Sequence, residues 1–140
     1  MNIGKLAMED ALQVLKSGQL GRLGCIADGE PYVVPVNYIF DGQNIYVHSL
    51  PGKKINALQT NPRACLQVDE IEDPYHWRSV LAYGNYEEIV DEHLRERTLA
   101  EMFRRMPHLT PVESKMTKGT SQTIIFRLKV DLVTGVGETW

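Results

Sequence analysis

"YVHSLPGKKINALQTNP", residues 46–62, is the stretch in which the chain changes period, and the fold is read outward from it. An alternating run ends on His48 and Ser49, the chain turns through Pro51-Gly52, and a short helix opens on Lys53 and Lys54. Ile55 and Leu58 form the buried edge of that helix. Pro62 ends it by pushing Asn61 out of helical conformation. So short a helix between strands is an insertion in a β-framework.

Upstream, "NIYVHS" is a strand entered through Asp41-Gly42. In it Ile45, Val47 and Ser49 share one face and Asn44, Tyr46 and His48 the other, which predicts one apolar and one polar-aromatic face. "QLGRLGCIA" and "PYVVPVNYIF" flank the turn signal Asp28-Gly29, so the three strands form an antiparallel meander. Met8, Ala11, Leu12 and Leu15 fall at i, i+3, i+4 and i+7, an amphipathic helix that Gly18 can stop.

Downstream, "RACLQVDEIE" resumes strand character, residues 69–73 read as an acidic loop, and "WRSVLAYGNYEEIV" is a long strand in which Gly84 signals a bulge or bend. Asp91 can cap a helix with Leu99, Met102, Phe103 and Met106 on one face. "PHLTPVESKMTKGTS" is a polar connection, "TIIFRLKV" alternates cleanly as the sixth strand, and "LVTGVG" either extends or follows it. Six hairpin-spaced strands, two amphipathic helices and one inserted helix predict a mainly β fold, an antiparallel barrel with helices packed on it. Residues 1–140 are expected to form a single domain.

Bulk composition narrows the function classes. The hydrophobic fraction is 43% and the charged fraction 24%, ordinary for a soluble globular protein, and no apolar run approaches the roughly 20 residues of a membrane span. The N-terminus lacks a signal-peptide pattern, so a cytoplasmic location is expected. A formal charge of −3, from 15 basic and 18 acidic residues, gives no general attraction to nucleic acid. Cys25 and Cys65 sit in strand-like segments without a CxxC partner and are expected to be buried thiols. The four histidines lack metal-ligand spacing, so no metal site is expected.

Lys53 and Lys54 carry the sharpest signal. They stand where a helix exposes unpaired N–H groups and the positive end of its dipole, with the Ser49 hydroxyl nearby, a donor set suited to phosphate. Two solvated lysines on a polar helix are the plain alternative. The Walker pattern is absent, since Val47 and Lys54 stand where it needs Gly and Ser or Thr. His48 matches no triad spacing, and a structural histidine is its simpler reading. Trp77 and Arg78 open a strand where a ring and a guanidinium can face a flat ligand, or where an aromatic plug can seal a barrel end or an interface.

Together, "PYVVPVNYIF", "IYVHSLPGKKINALQTNPRACLQVDE" and "WRSVLAYGNYEEIV" resemble the FMN-binding split-barrel proteins related to pyridoxamine 5′-phosphate oxidase, and among them the small nitroimidazole-resistance-type reductases. The resemblance spans about residues 20–90, with weaker support from "VTGVG". It implies a homodimer of six-stranded antiparallel split barrels with FMN in grooves between subunits. It also implies that Ser49, Lys53 and Lys54 hold the FMN phosphate, that Pro35, Val36, Asn37 and Tyr38 run along the isoalloxazine with backbone groups toward its polar edge, and that His48 lies near the ring or ribityl chain. Trp77, Arg78, Ser79 and Val80 would line the flavin groove, often from the partner subunit. Pyridoxamine phosphate oxidases proper finish with an arginine-bearing segment where this sequence reads "LVTGVGETW", so vitamin B6 oxidation is not expected.

The same fold includes deazaflavin-dependent reductases and haem-degrading enzymes; the lysine pair suits phosphate better than haem and does not separate FMN from a deazaflavin. The leading expectation is an oxidoreductase that takes a hydride from NAD(P)H onto the flavin and passes electrons to a small acceptor, with no residue assigned as catalytic and His48 the one candidate, as a hydrogen-bond donor near the ring. The rival is a flavin-binding or redox-sensing module without turnover.

Overall fold

The computed structural model describes residues 2–105 and 123–139. In chain order the elements are β1 (Asn2–Lys5), α1 (Met8–Ser17), β2 (Leu20–Ala27), β3 (Glu30–Phe40), β4 (Asn44–Ser49), α2 (Lys53–Thr60), β5 (Arg63–Asp73), β6 (His76–Glu88), α3 (Glu92–Arg105) and β7 (Ile124–Thr139). Every strand pairing is antiparallel, in the order β1-β7-β4-β3-β2-β5-β6, and a further pairing of β7 with β6 closes β2–β7 into a six-stranded barrel. The expected strand count holds for the barrel, and β1 is an addition that the sequence did not signal.

Closure depends on the length of β7. Residues from Ile124 to Lys129 pair with β4, residues from Val136 to Thr139 pair with β1 on the same edge, and the opposite edge pairs with β6 along nearly the whole strand. "LVTGVG" therefore extends the sixth strand. The register slips between Tyr83 and Gly84, the bulge that Gly84 signalled, and a Cβ at Gly84 would stand 2.5 Å from the Lys129 carbonyl oxygen. Asp131, the extra residue opposite the slip, is held by Arg63, whose guanidinium donates to both carboxylate oxygens at 2.6 and 2.9 Å.

Inward-facing residues of all six barrel strands form one apolar interior with Ala11, Val14 and Leu15 of α1 and Ile55, Ala57 and Leu58 of α2. A second cluster lies outside the barrel, where Ile39, Tyr46 and Ile125 pack against Ile89 and Met102 with Leu94 and Leu99. The two faces of β4 divide as its alternation predicts, and both are buried, because α3 covers the polar-aromatic one. Asp91 does cap α3, its Oδ2 accepting from the Leu94 N–H at 2.9 Å. The helix position Met106 and the connection at 107–121 lie outside the described residues.

Two corrections follow from pairing. Residues 69–73 are not a loop; Asp69, Glu70, Ile71 and Asp73 pair with β6, so backbone bonding carries the strand through a polar stretch. Cys25 is buried as expected, but Cys65 points to the outer face opposite Tyr83 and is half-buried; both thiols are free.

Candidate functional site

The start of α2 leaves its first turn uncapped and beside two lysines. Gly52 precedes it in extended conformation with no side-chain cap, and its first turn holds no acidic residue. The first intrahelical bond runs from the Asn56 N–H to the Gly52 carbonyl at 3.0 Å, so the preceding N–H groups of the first turn face outward from the ladder. Lys53 is exposed and its ammonium lies 4.8 Å from the centre of the Tyr32 ring. Lys54 is half-buried; burial pushes its ammonium below the usual lysine range, and the neighbouring Cys25 thiol offsets this in part. A groove of about 640 Å³ runs from Gly52, Lys53 and Asn56 to the Asp28-Gly29 turn.

This donor set fits a phosphate. A lysine whose charge is disfavoured by burial gains most from a dianion placed beside it, and the uncapped N–H groups supply directional donors. Ser49 is placed differently from expectation: it is buried and its hydroxyl donates to the Leu50 carbonyl at 2.8 Å. It can serve an anion only by releasing that bond.

The other expected residues divide by face. On β3, Val36 and Tyr38 point into the barrel, Tyr38 donating to the Leu15 carbonyl at 2.7 Å, while Pro35 and Asn37 point outward. Burial also pushes the Tyr38 hydroxyl well above the usual tyrosine range. On β6, Val80 is in the core, and Trp77 and Ser79 face outward with Arg78 on the opposite side of the strand. His48 is 6% exposed on the face of β4 that carries Tyr46, the side packed by α3.

Register places the outward residues on one sheet surface. Pro35 opposes Arg22, Arg22 opposes Gln67, Asp69 opposes Ser79, and Trp77 opposes both Ile71 and Glu138. Trp77 donates its indole N–H to the Glu138 carboxylate at 3.0 Å, and Glu138 is itself 5% exposed. Sequence reasoning missed Glu138, Gln67 and Asp69, because only the pairing of β5, β6 and β7 brings them to Trp77 and Ser79. β3 and β6 are separated by β2 and β5, three strand spacings or about 14 Å.

The fold agrees with what the chain resembles across its length. The family model described as pyridoxamine 5′-phosphate oxidase matches residues 8–136, and the chain belongs to that family. An uncharacterised protein of Rhizobium meliloti is 32% identical, covering 96% of this chain and 95% of the relative. Among solved structures, an FAD-binding protein of Mesorhizobium loti superposes with a TM-score of 0.82 at 29% identity, covering 99% of this chain and 100% of its own. A Bacteroides thetaiotaomicron protein named for 5-nitroimidazole antibiotic resistance superposes at 0.75 with 20% identity, covering 99% and 91%, and shares the fold. Among the described residues no helix is long and apolar enough to cross a membrane, and no group of three or more His, Cys, Asp or Glu is arranged to hold a metal ion.

Proposed function

We propose that the chain binds a flavin as a homodimer and acts as a flavin-dependent oxidoreductase on a small acceptor, with NADH or NADPH as the source of hydride. The observation that carries the reading is the uncapped, acid-free first turn of α2 with Lys53 and Lys54, in a chain 29% identical over 99% of its length to an FAD-binding protein. Lys54 and the first-turn N–H groups hold the phosphate, and Lys53 adds charge at the groove mouth. The outward backbone of β3 at Pro35 and Asn37 lies along the ring. When bound, the flavin supplies the hydride and electron transfer, which accounts for a site without a catalytic triad.

Two features support the dimer. Trp77 and Ser79 stand about 14 Å across the sheet from Pro35 and Asn37, too far for one ring to lie against both strands of one chain, so the β6 residues serve the partner's flavin. The same outer surface exposes Leu20, Val33, Leu132 and Val136, an apolar area of the kind that marks a subunit contact.

The single-phosphate anchor favours FMN; the Mesorhizobium protein favours FAD as a second reading. The visible spectrum of freshly purified protein, with the mass of what heat releases, decides between them: FMN is expected, FAD would replace it, and colourless protein that takes up neither would overturn the function. Anaerobic addition of NADH or NADPH is expected to bleach the bound flavin; an unchanged spectrum with both would leave a binding or sensing module.

A further inference from the structure

On the outer face of the sheet one amide nitrogen serves two neighbours. Gln67 Nε2 lies 3.0 Å from Asp69 Oδ2 and 3.0 Å from Ser79 Oγ. Arg22 Nη1 approaches the Gln67 carbonyl oxygen at 3.5 Å and Asp69 Oδ2 at 3.1 Å. Register makes the cluster: Arg22 opposes Gln67 and Asp69 opposes Ser79, so all four side chains share the outward face. On the far side of Ser79 stands Val136, which offers no polar side chain.

Charge sets the direction of the Gln67 amide. An ionised Asp69 only accepts, so the NH₂ end must face it, and Arg22 only donates, so it suits the carbonyl end. The flipped amide would set oxygen against carboxylate and nitrogen against guanidinium. With the amide so directed, its second N–H reaches Ser79 Oγ, and the serine oxygen is an acceptor in that bond. A serine hydroxyl has a single hydrogen. Gln67 Nε2 and the Arg22 guanidinium are donors only, and among the described residues Asp69 accepts from Gln67 and Arg22 but not from the Ser79 hydroxyl.

We propose that Arg22, Asp69 and Gln67 form a positioning relay that makes Ser79 a dedicated hydrogen-bond donor to an acceptor atom, a carbonyl oxygen or ring nitrogen, on the edge of the bound flavin. The proposal rests on the flavin reading above. The chemical consequence is selectivity for ligands with an acceptor at that point: a group that can only donate would meet the Ser79 hydrogen head on. Glutamate at position 67 inverts the logic, because an acceptor-only carboxylate takes the Ser79 hydrogen inward and withdraws it from the ligand.

The test is FMN titration of full-length apoprotein, repeated with FAD, for wild type, Ser79→Ala, Gln67→Glu, the double variant and Asp69→Asn. Loss of one donor to the ligand is expected to weaken binding about tenfold in Ser79→Ala and Gln67→Glu alike, with the double variant no weaker than either. The flavin absorption maximum should move to one common position in those three and to an intermediate one in Asp69→Asn, a signature that general loosening would not produce. In flavin-free protein the Gln67 side-chain amide resonances should shift on Ser79→Ala. Asp69→Asn is nearly isosteric and keeps the test decisive if Gln67→Glu does not fold. Additive losses in the double variant, or wild-type affinity and spectrum in both Gln67→Glu and Asp69→Asn, would overturn the relay and leave flavin binding intact. Wild-type protein that takes up neither FMN nor FAD would overturn both.

Discussion

Lys54 shows what a buried charge costs the fold, and what the proposed phosphate would gain from it. Its ammonium is half-buried at the start of α2, and burial lowers its pKa from the ordinary 10.5, so folding carries a cost while the group is charged. The unfolded chain then binds more protons than the folded one between the lowered value and 10.5, and stability rises with pH across that window. Lys54→Met should therefore raise the melting temperature of the flavin-free protein at neutral pH, and scanning calorimetry checks it. The same change should weaken FMN binding by roughly 1.5 to 3 kcal/mol, as should Lys53→Ala, the range for a hydrogen bond to a charged group. Equal affinity in both variants and wild type would remove the phosphate from this site. Affinity contributed by Lys54 should also fall as pH rises through its lowered pKa, before an exposed lysine would lose its proton. The lysine pair was legible in the sequence because helix-terminus electrostatics is local. The direction of Ser49 was not, since its bond to the Leu50 carbonyl depends on how Pro51 and Gly52 turn the chain.

At the scale of elements, the junction of α1 with β3 shows a stop signal acting for a reason other than the expected one. Gly18 follows α1 with φ −75°, ordinary backbone for any residue, so the left-handed conformation of a glycine cap is not in use. A Cβ there would instead stand 2.3 Å from the Tyr38 hydroxyl and 2.9 Å from a Val68 methyl. Gly18 is small so that the end of α1 can sit on β3 and accept the Tyr38 hydrogen bond at Leu15. Gly18→Ala should destabilise the fold by about 1 to 3 kcal/mol, the range for overpacking, measured by urea unfolding. Added to Tyr38→Phe, which removes the nearest clashing atom, it should cost less than it does alone. A stabilising Gly18→Ala, as expected where glycine only adds freedom to the unfolded chain, would refute the packing argument. The helix itself was legible from its period; its packing partner was not.

The whole molecule is a barrel with one helix-covered flank and one exposed, partly apolar flank. If the exposed flank is the subunit contact, Val33→Glu, at a residue 64% exposed in the single chain, should leave the fold intact and convert dimer to monomer in sedimentation velocity, with loss of flavin. A variant that stays dimeric at the wild-type concentration would move the contact elsewhere. By itself the sequence determined the strand pair across Asp28-Gly29, where positive φ values of 54° and 77° meet the residues that tolerate them, and the short helix between strands four and five. It also determined the family, because those elements recur in order. Only the tertiary structure decided the existence of β1, the strand character of residues 69–73, the burial of both faces of β4, and the meeting of Gln67 and Asp69 with Ser79. The physical reason is shared. Periodicity reports which face of a segment is buried against its own neighbours, whereas edge pairing is made by backbone groups that every residue carries and is chosen by strands far away in sequence.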